Sequence, residues 1–578
     1  MRIAVSRSVL VWGLLGLSSA VAPLRADDPA PAAPPAGEVT QHQFADSKVF
    51  PGTVRDFWVY VPRQYDPSRP ACLYVNQDGI QYNAPAVFDR LIHEKQMPVT
   101  IGVFVKWGRL AARDPAAGDR FDRAVEYDTP DDRYVTFLVD ELLPVVERMS
   151  TADGRAIHLS HDGNDRSIAG ASSGAVCAFT AAWQRPDQFH RVFSTIGTYV
   201  GLRGADRYPT LIRKTDPRPL RVFLQDGSTD QNIFAGDWWF ANQMMERALV
   251  FAGYEVNHAW GEGGHNTDQG TAIFADAMRW LWKDWPAPVK LGLGSPEMQT
   301  ALYPDEPWKL VADGFQSVAG LAANPSGEVV FSDAATGKDY RIDGAGKVAP
   351  TGERVAGISG QAFSDSGQLF SVGEKLDGVQ AATKAGDTAK ADPAIHGCRL
   401  VVCRDGSQYV TAPDSSEHAS KVWYISPKGE KKVVETGLKY PTGITLSCDQ
   451  SLLLVAEGRS HWIYSYQIGP GGALLNGQRF HYLHVPEPAD NAAPGGLASD
   501  NGARLYVATN MGVQVCDQTG RVYFILPLPV GTPTDVCFGG EKFDTLFAAA
   551  GDRIFKRKLK VVGTPPFHDA VKPPPPRL

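Results

Sequence analysis

Arg166-Ser167-Ile168-Ala169-Gly170-Ala171-Ser172-Ser173-Gly174 is the stretch on which the fold turns. Four residues of strand character run straight into Gly-x-Ser-x-Gly. Ala175 to Gln184 then form a helical run that Arg185-Pro186 stops. A strand, a tight turn of small residues around one serine, and a helix together predict a hydroxyl lifted clear of a sheet at a helix N-terminus. The five-residue motif alone is weak, and its competing reading is a structural serine in a turn. The flanking strand and helix give it weight.

Two later strands end in the same manner. Leu220–Leu224 leads into Gln225-Asp226-Gly227-Ser228-Thr229-Asp230, and Glu255–Trp260 leads into Gly261-Glu262-Gly263-Gly264-His265. Serine, acid and histidine in that chain order are the order of an α/β-hydrolase triad. There the imidazole takes the serine proton and the carboxylate orients the imidazole. Ser172 is the expected nucleophile and His265 the expected base, whereas His258 falls inside the strand pattern. Three acids compete for the remaining place. Asp226 lies so close to the strand that a turn-shaping role suits it, and Asp237 looks like a helix cap. Asp230, the favoured one, lies where a loop could reach Nδ1 of His265. The oxyanion needs two backbone donors. Ser173 N–H is one, and the loop Asn76 to Tyr82 is expected to provide the other.

Strand and helix patterns alternate from about Thr40 to Trp285. Phe57–Val61, Ala71–Val75 and Val99–Val105 are expected strands. Tyr134 to Arg148 is an expected helix, with Phe137, Leu138, Leu142, Leu143 and Val146 at helical spacing. Further helices are expected from near Asp237 to Gly253, which serves as C′ residue, and from Thr271 to Trp285. Such alternation implies a mostly parallel sheet covered by helices, here over 38–290.

From about Pro307 the texture changes to short strands and Gly/Asp turns. Strand-turn-strand units recur at 320–333, 357–372, 397–411, 442–456, 495–509 and 534–549, and five carry a turn glycine (Gly327, Gly367, Gly406, Gly502, Gly540). A mean step of about 43 residues suits a four-stranded propeller blade. The reading is thus a multidomain α/β plus all-β chain, an α/β-hydrolase domain followed by a six-bladed β-propeller at 305–564. The linker is 291–304 and a Pro-rich tail covers 565–578. The competing reading of the second half is a β-sandwich with fortuitous spacing.

A chain of 578 residues is too long for one core. A formal charge of −7 with no basic stripe argues against a nucleic-acid partner. Arg2 and Arg7 precede an apolar run, Val9 to Val21, and Ala20-Val21-Ala22 is a small-x-small site. Residues 1–26 are therefore expected to be a signal peptide, cut after Ala22 or Ala26, and 27–37 a disordered Pro/Ala leader. The run is shorter than the roughly 20 apolar residues of a membrane span, so export to the periplasm or beyond is expected. Seven scattered cysteines fit neither a disulfide framework nor a metal-binding pair.

Tyr60-Val61-Pro62, Leu73-Tyr74-Val75-Asn76-Gln77-Asp78-Gly79, the serine motif, Gly227-Ser228-Thr229-Asp230 and Gly264-His265 together resemble the esterase D/enterochelin-esterase-like family over about residues 40–290. That family includes feruloyl and acetylxylan esterases. The resemblance implies a Ser172–Asp230–His265 triad, a second oxyanion donor at Ile80 N–H, and no cofactor. Tyr82, Trp107, Trp238 and Trp239 are candidate cleft aromatics for a feruloyl ring or sugar face; Trp238 and Trp239 could equally pack their helix on the sheet.

Pro441-Thr442-Gly443-Ile444 and Pro494-Gly495-Gly496-Leu497 give the second half a resemblance to the SMP-30/gluconolactonase family over 305–562. That family's lactonases hold a divalent cation through a Glu, two Asn and an Asp. The matching positions here are Ala319, Cys398, Thr442 and Gly495, none of them a hard-cation ligand, and Asp333, Asp405 and Asp500 look like turn residues. No metal is expected, and the propeller is read as a binding module, a substrate-presenting module or a scaffold. The expected activity is that of an exported serine carboxylic-ester hydrolase acting on carbohydrate-linked feruloyl or acetyl esters. The rivals are a siderophore esterase, a metal-dependent sugar lactonase in the propeller, and a binding protein with an inactive hydrolase.

Overall fold

The computed structural model describes residues 34–353, 356–373, 376, 378–382, 395–416 and 419–576; the expected signal peptide lies outside the described residues. In the first half eight strands form one sheet. They are β1 (Glu38–Phe44), β2 (Arg55–Val61), β3 (Cys72–Gln77), β4 (Thr100–Val105), β5 (Arg166–Ala171), β6 (Arg191–Thr195), β7 (Arg221–Gly227) and β8 (Glu255–Gly261). The spatial order is β1-β2-β4-β3-β5-β6-β7-β8. β2 runs antiparallel to both β1 and β4, and all other neighbours are parallel. Every residue of β3 to β7 is buried, as expected for strands covered on both faces.

The cover is α1 (Ala84–His93), α2 (Ser173–Gln184), α3 (Tyr208–Lys214), α4 (Trp238–Phe251), α5 (Asp268–Leu281) and a helical run over 133–147. One core joins Phe137, Leu142, Phe179 and Leu249, placing that run, α2 and α4 on one face. The other joins Phe88, Leu91, Phe274 and Met278, placing α1 and α5 opposite. The run differs from a plain helix by a π turn at Phe137–Leu142. The helix expected at 271–285 begins earlier, at Asp268, and ends at Leu281. Asp237 caps α4, its Oδ1 accepting Phe240 N–H at 3.0 Å.

The second half closes into six blades. Their innermost strands are Val318–Ala323, Ile358–Phe363, Arg399–Val402, Pro441–Leu446, Leu497–Ser499 and Asp535–Gly539. The six units seen in the sequence are the inner strand pairs of these blades. Lys309–Ala312 pairs with Arg553–Lys558, so the last blade takes strands from both ends of the ring. The segment expected as a linker carries a further helix, α6 (Pro296–Ala301), whose Met298 and Ala301 join the propeller core. The two halves also meet after α3: Thr215 bridges Ile525, and the Asp216 carboxylate pairs with Arg557. Phe567 of the tail is buried at one mouth of the channel. Among the described residues no helix is long and apolar enough to cross a membrane. All seven cysteines are free.

Candidate active site

The parallel strands β5, β7 and β8 deliver their loops to one edge of the sheet, and those loops carry Ser172, Asp230 and His265. Ser172 sits between β5 and α2 at φ 59° and ψ −124°, a strained conformation for a residue with a side chain. Its N–H donates to Thr195 O at 3.0 Å, and its carbonyl accepts from Ala175 and Val176 at the start of α2. A Cβ on Gly170 would lie 2.3 Å from the backbone of Gly174, so the strand and helix can cross this closely only without one.

Ser172 Oγ and His265 Nε2 are 2.8 Å apart, and His265 Nδ1 and Asp230 Oδ1 are 2.7 Å apart. The three side chains named from the sequence therefore form one continuous chain of hydrogen bonds. Asp230 is fully buried and His265 partly so. Burial alone would raise the Asp230 carboxyl; the hydrogen bonds from His265 and from neighbouring Asp226 outweigh it and hold Asp230 below the usual carboxylate range. Thr198 Oγ1 lies 3.1 Å from Ser172 Oγ and accepts the Trp238 indole N–H at 3.1 Å. Trp238 also presents its ring edge-on to His265 at 5.8 Å. It is buried and braces the triad.

The two backbone donors named from the sequence are open. Neither Ser173 N–H nor Ile80 N–H has an acceptor among the described residues, whereas Gly79 N–H is committed to Val105 O. The loop bearing Ile80 is pinned by Arg123, which binds both Asp78 carboxylate oxygens at 2.9 and 2.8 Å. Asp128 hydrogen-bonds the Ser173 side chain, and its burial raises its carboxyl. Arg123, Asp128 and Thr198 were not singled out from the sequence, because nothing in their local pattern sets them apart.

The aromatic candidates part company. Tyr82 is a correction: its ring is buried, stacks on Phe274 at 5.1 Å and bonds Thr195 through its hydroxyl, so it belongs to the core and not to a cleft wall. Trp239 packs edge-on against Trp260 of β8. Trp107 meets the exposed Phe121 edge-on at 5.1 Å, on the arm that leads to Arg123. Asp226, read as a turn residue, does bond Gly227 N–H at 2.7 Å, but its carboxyl also contacts Asp230.

Residues 49–281 match the family model described as "Putative esterase", and residues 399–551 match the "SMP-30/Gluconolactonase/LRE-like region". The chain joins an esterase-family domain to an SMP-30/gluconolactonase-like propeller. It is 23% identical over 255 residues to a gluconolactonase of Zymomonas mobilis, covering 42% of this chain and 64% of that protein. It is 29% identical over 157 residues to an iron(III) enterobactin esterase of Dickeya dadantii, covering 25% of this chain and 33% of that protein. The chain thus spans less than two thirds of the length of either relative. A solved gluconolactonase structure from Xanthomonas campestris aligns at 21% identity with a TM-score of 0.42, over 46% of this chain and 93% of that one.

An arginine lies on the channel of the SMP-30-like propeller. Arg399 reaches from the third blade across the channel to Ser359 O of the second and to Asp535 of the sixth, the latter at 3.4 Å. Burial raises the Asp535 carboxyl, and the Arg399 charge opposes that. The guanidinium also meets Cys398 O and Thr534 O, and Ala319, Cys398, Thr442 and Gly495 carry no carboxylate or amide ligand for a divalent ion. Among the described residues no group of three or more His, Cys, Asp or Glu side chains is arranged to hold a metal ion.

Proposed function

We propose that the esterase-family domain is a serine carboxylic-ester hydrolase of carbohydrate-linked acyl esters. The observation that carries this reading is the unbroken Asp230–His265–Ser172 chain at 2.7 and 2.8 Å. Ser172 Oγ attacks the ester carbonyl while His265 Nε2 takes its proton. The resulting oxyanion is met by the open amides of Ser173 and Ile80. Collapse expels the alcohol, which receives the proton from His265, and water then repeats the sequence on the acyl-enzyme. Asp230 holds the imidazole in the tautomer whose Nε2 faces the serine.

The substrate class proposed is supported by the side chains of the surrounding loops. Asp78 and Asp128 place carboxylates there, and Arg123 is already engaged by Asp78. That balance favours a neutral, hydroxyl-bearing alcohol such as a sugar over a polyanion. The Trp107–Phe121 pair offers a ring or sugar face a surface to stack on. The enterobactin-esterase relative supports a second reading, hydrolysis of a siderophore trilactone. The propeller is proposed as a binding or scaffolding module, and export as the function of the segment Arg2 to Ala22. Turnover of p-nitrophenyl acetate, methyl ferulate, an acetylated xylo-oligosaccharide and enterobactin by the full chain and by Ser172→Ala tests this. Wild-type activity on the sugar ester that Ser172→Ala abolishes is the expected result. Preference for enterobactin would select the second reading, and failure of a fluorophosphonate to label Ser172 would overturn both.

A further inference from the structure

We propose that Asp226 is a second, protonated carboxyl of the relay, donating a hydrogen bond to the Asp230 oxygen that His265 does not use. This rests on the triad reading above and assigns a positioning residue to it. Asp230 Oδ1 accepts from His265 Nδ1 and from Gln231 N–H at 2.6 Å. Its other oxygen, Oδ2, is buried and meets no N–H or hydroxyl donor among the described residues. A carboxylate oxygen stripped of water and left without a donor is costly. The Asp226 carboxyl, four residues back at the end of β7 and wholly buried, is in hydrogen-bonding contact with Asp230.

Two ionised carboxylates in contact repel, and a single proton turns the repulsion into a hydrogen bond. The question is which of the two holds it. Asp230 faces His265, whose Nδ1–H requires a charged acceptor. Asp226 faces Asn242 Nδ2 from α4 at 2.8 Å and Gly227 N–H, with Gly197 O of the loop after β6 sharing the same amide. His265 stands behind Asp230, and no Lys, Arg or His among the described residues forms an ion pair with Asp226. The proton therefore sits on Asp226. Burial and the neighbouring Asp230 charge push the Asp226 carboxyl up to about 8, in the same direction. The arrangement leaves one net negative charge behind the imidazole and fixes Asp230 from both sides.

The pH consequence has a definite sign. With its folded value raised above the ordinary 3.8, the stability Asp226 contributes is complete at acid pH and lost as pH rises through about 8. Over the same interval the donor to Asp230 disappears and a second charge appears. The test uses the full chain, its kcat/KM on p-nitrophenyl acetate from about pH 6 to about pH 9.5, and its thermal midpoint over the same interval. Asp226→Asn keeps an N–H donor, and Asp226→Ala removes it.

At neutral pH, Asp226→Asn is expected within about threefold of wild type and Asp226→Ala about tenfold or more below it. Wild-type activity is expected to decline as pH rises through about 8, and the midpoint to fall from about pH 6 and level off near 8, while Asp226→Asn holds both. Equal losses in the two variants, or an alkaline decline unchanged in Asp226→Asn, would overturn the proposal. Should Asp226→Ala not fold, the pH profiles of wild type and Asp226→Asn decide alone. Should wild type turn over no ester, the serine-esterase reading fails, yet the midpoint curves still report whether Asp226 carries the proton.

Discussion

In the proposed relay Asp230 orients the imidazole through one hydrogen bond, and replacing its carboxylate separates orientation from packing. In Asp230→Asn the amide can present an N–H to Nδ1, favouring the tautomer whose Nε2 carries the hydrogen and cannot take the serine proton. A fall in kcat of about 10³- to 10⁴-fold with little change in thermal midpoint is expected, read by steady-state kinetics and calorimetry. The three triad residues were legible because each stands just beyond a strand of clear pattern, and strands of one sheet end at one edge. Thr198 and Trp238 were not legible as partners of the relay. They come from the loop after β6 and the start of α4, and only the fold shows that Thr198 reaches Ser172 and that Trp238 reaches Thr198 and His265. Tyr82 misled for a related reason: a loop position says nothing of direction, and at φ 58° the backbone turns this ring inward to Phe274.

The elements around the site are held by close approaches that single substitutions can break. A Cβ on Gly227 would lie 1.9 Å from Gly263 O, where the loops carrying Asp230 and His265 touch. Gly227→Ala is therefore expected to lower both kcat and thermal midpoint, in contrast to Asp230→Asn. The arm bearing Trp107, Phe121 and Arg123 is tied down by Glu126, which binds buried Arg55 at 2.7 and 2.9 Å and accepts Gly108 N–H. Glu126→Ala leaves that guanidinium buried and unpaired, an expected loss of about 3–5 kcal/mol in urea unfolding. The strands β3, β5, β7 and β8 were visible as short runs of strand character leading into turns of small and polar residues. β6 was not singled out; the structure buries its Arg191 by bonding Leu281 O and stacking it on Trp282 at 4.6 Å. Likewise β1 alternates exposed polar residues as an antiparallel edge strand, which blurs into a leader.

Across the whole molecule the domain order and blade count were legible from composition and a repeat, but the contact between the halves was not, because it joins residues hundreds of positions apart. Arg557 is almost fully buried against Asp216, so Asp216→Ala is expected to uncouple the halves, splitting one calorimetric transition into two. EDTA is expected to leave esterase turnover and the thermal transition unmoved, given the Arg399–Asp535 pair across the channel. The seam formed by Lys309–Ala312 and Arg553–Lys558 bears on how the polypeptide matures. Synthesis runs from the N-terminus, so the hydrolase sheet has its last strand by Gly261 while the ring still lacks its clasp until residue 558 has emerged. A premature stop after α5 but before residue 558 would yield a finished esterase-type half trailing an open, edge-exposed arc prone to self-association.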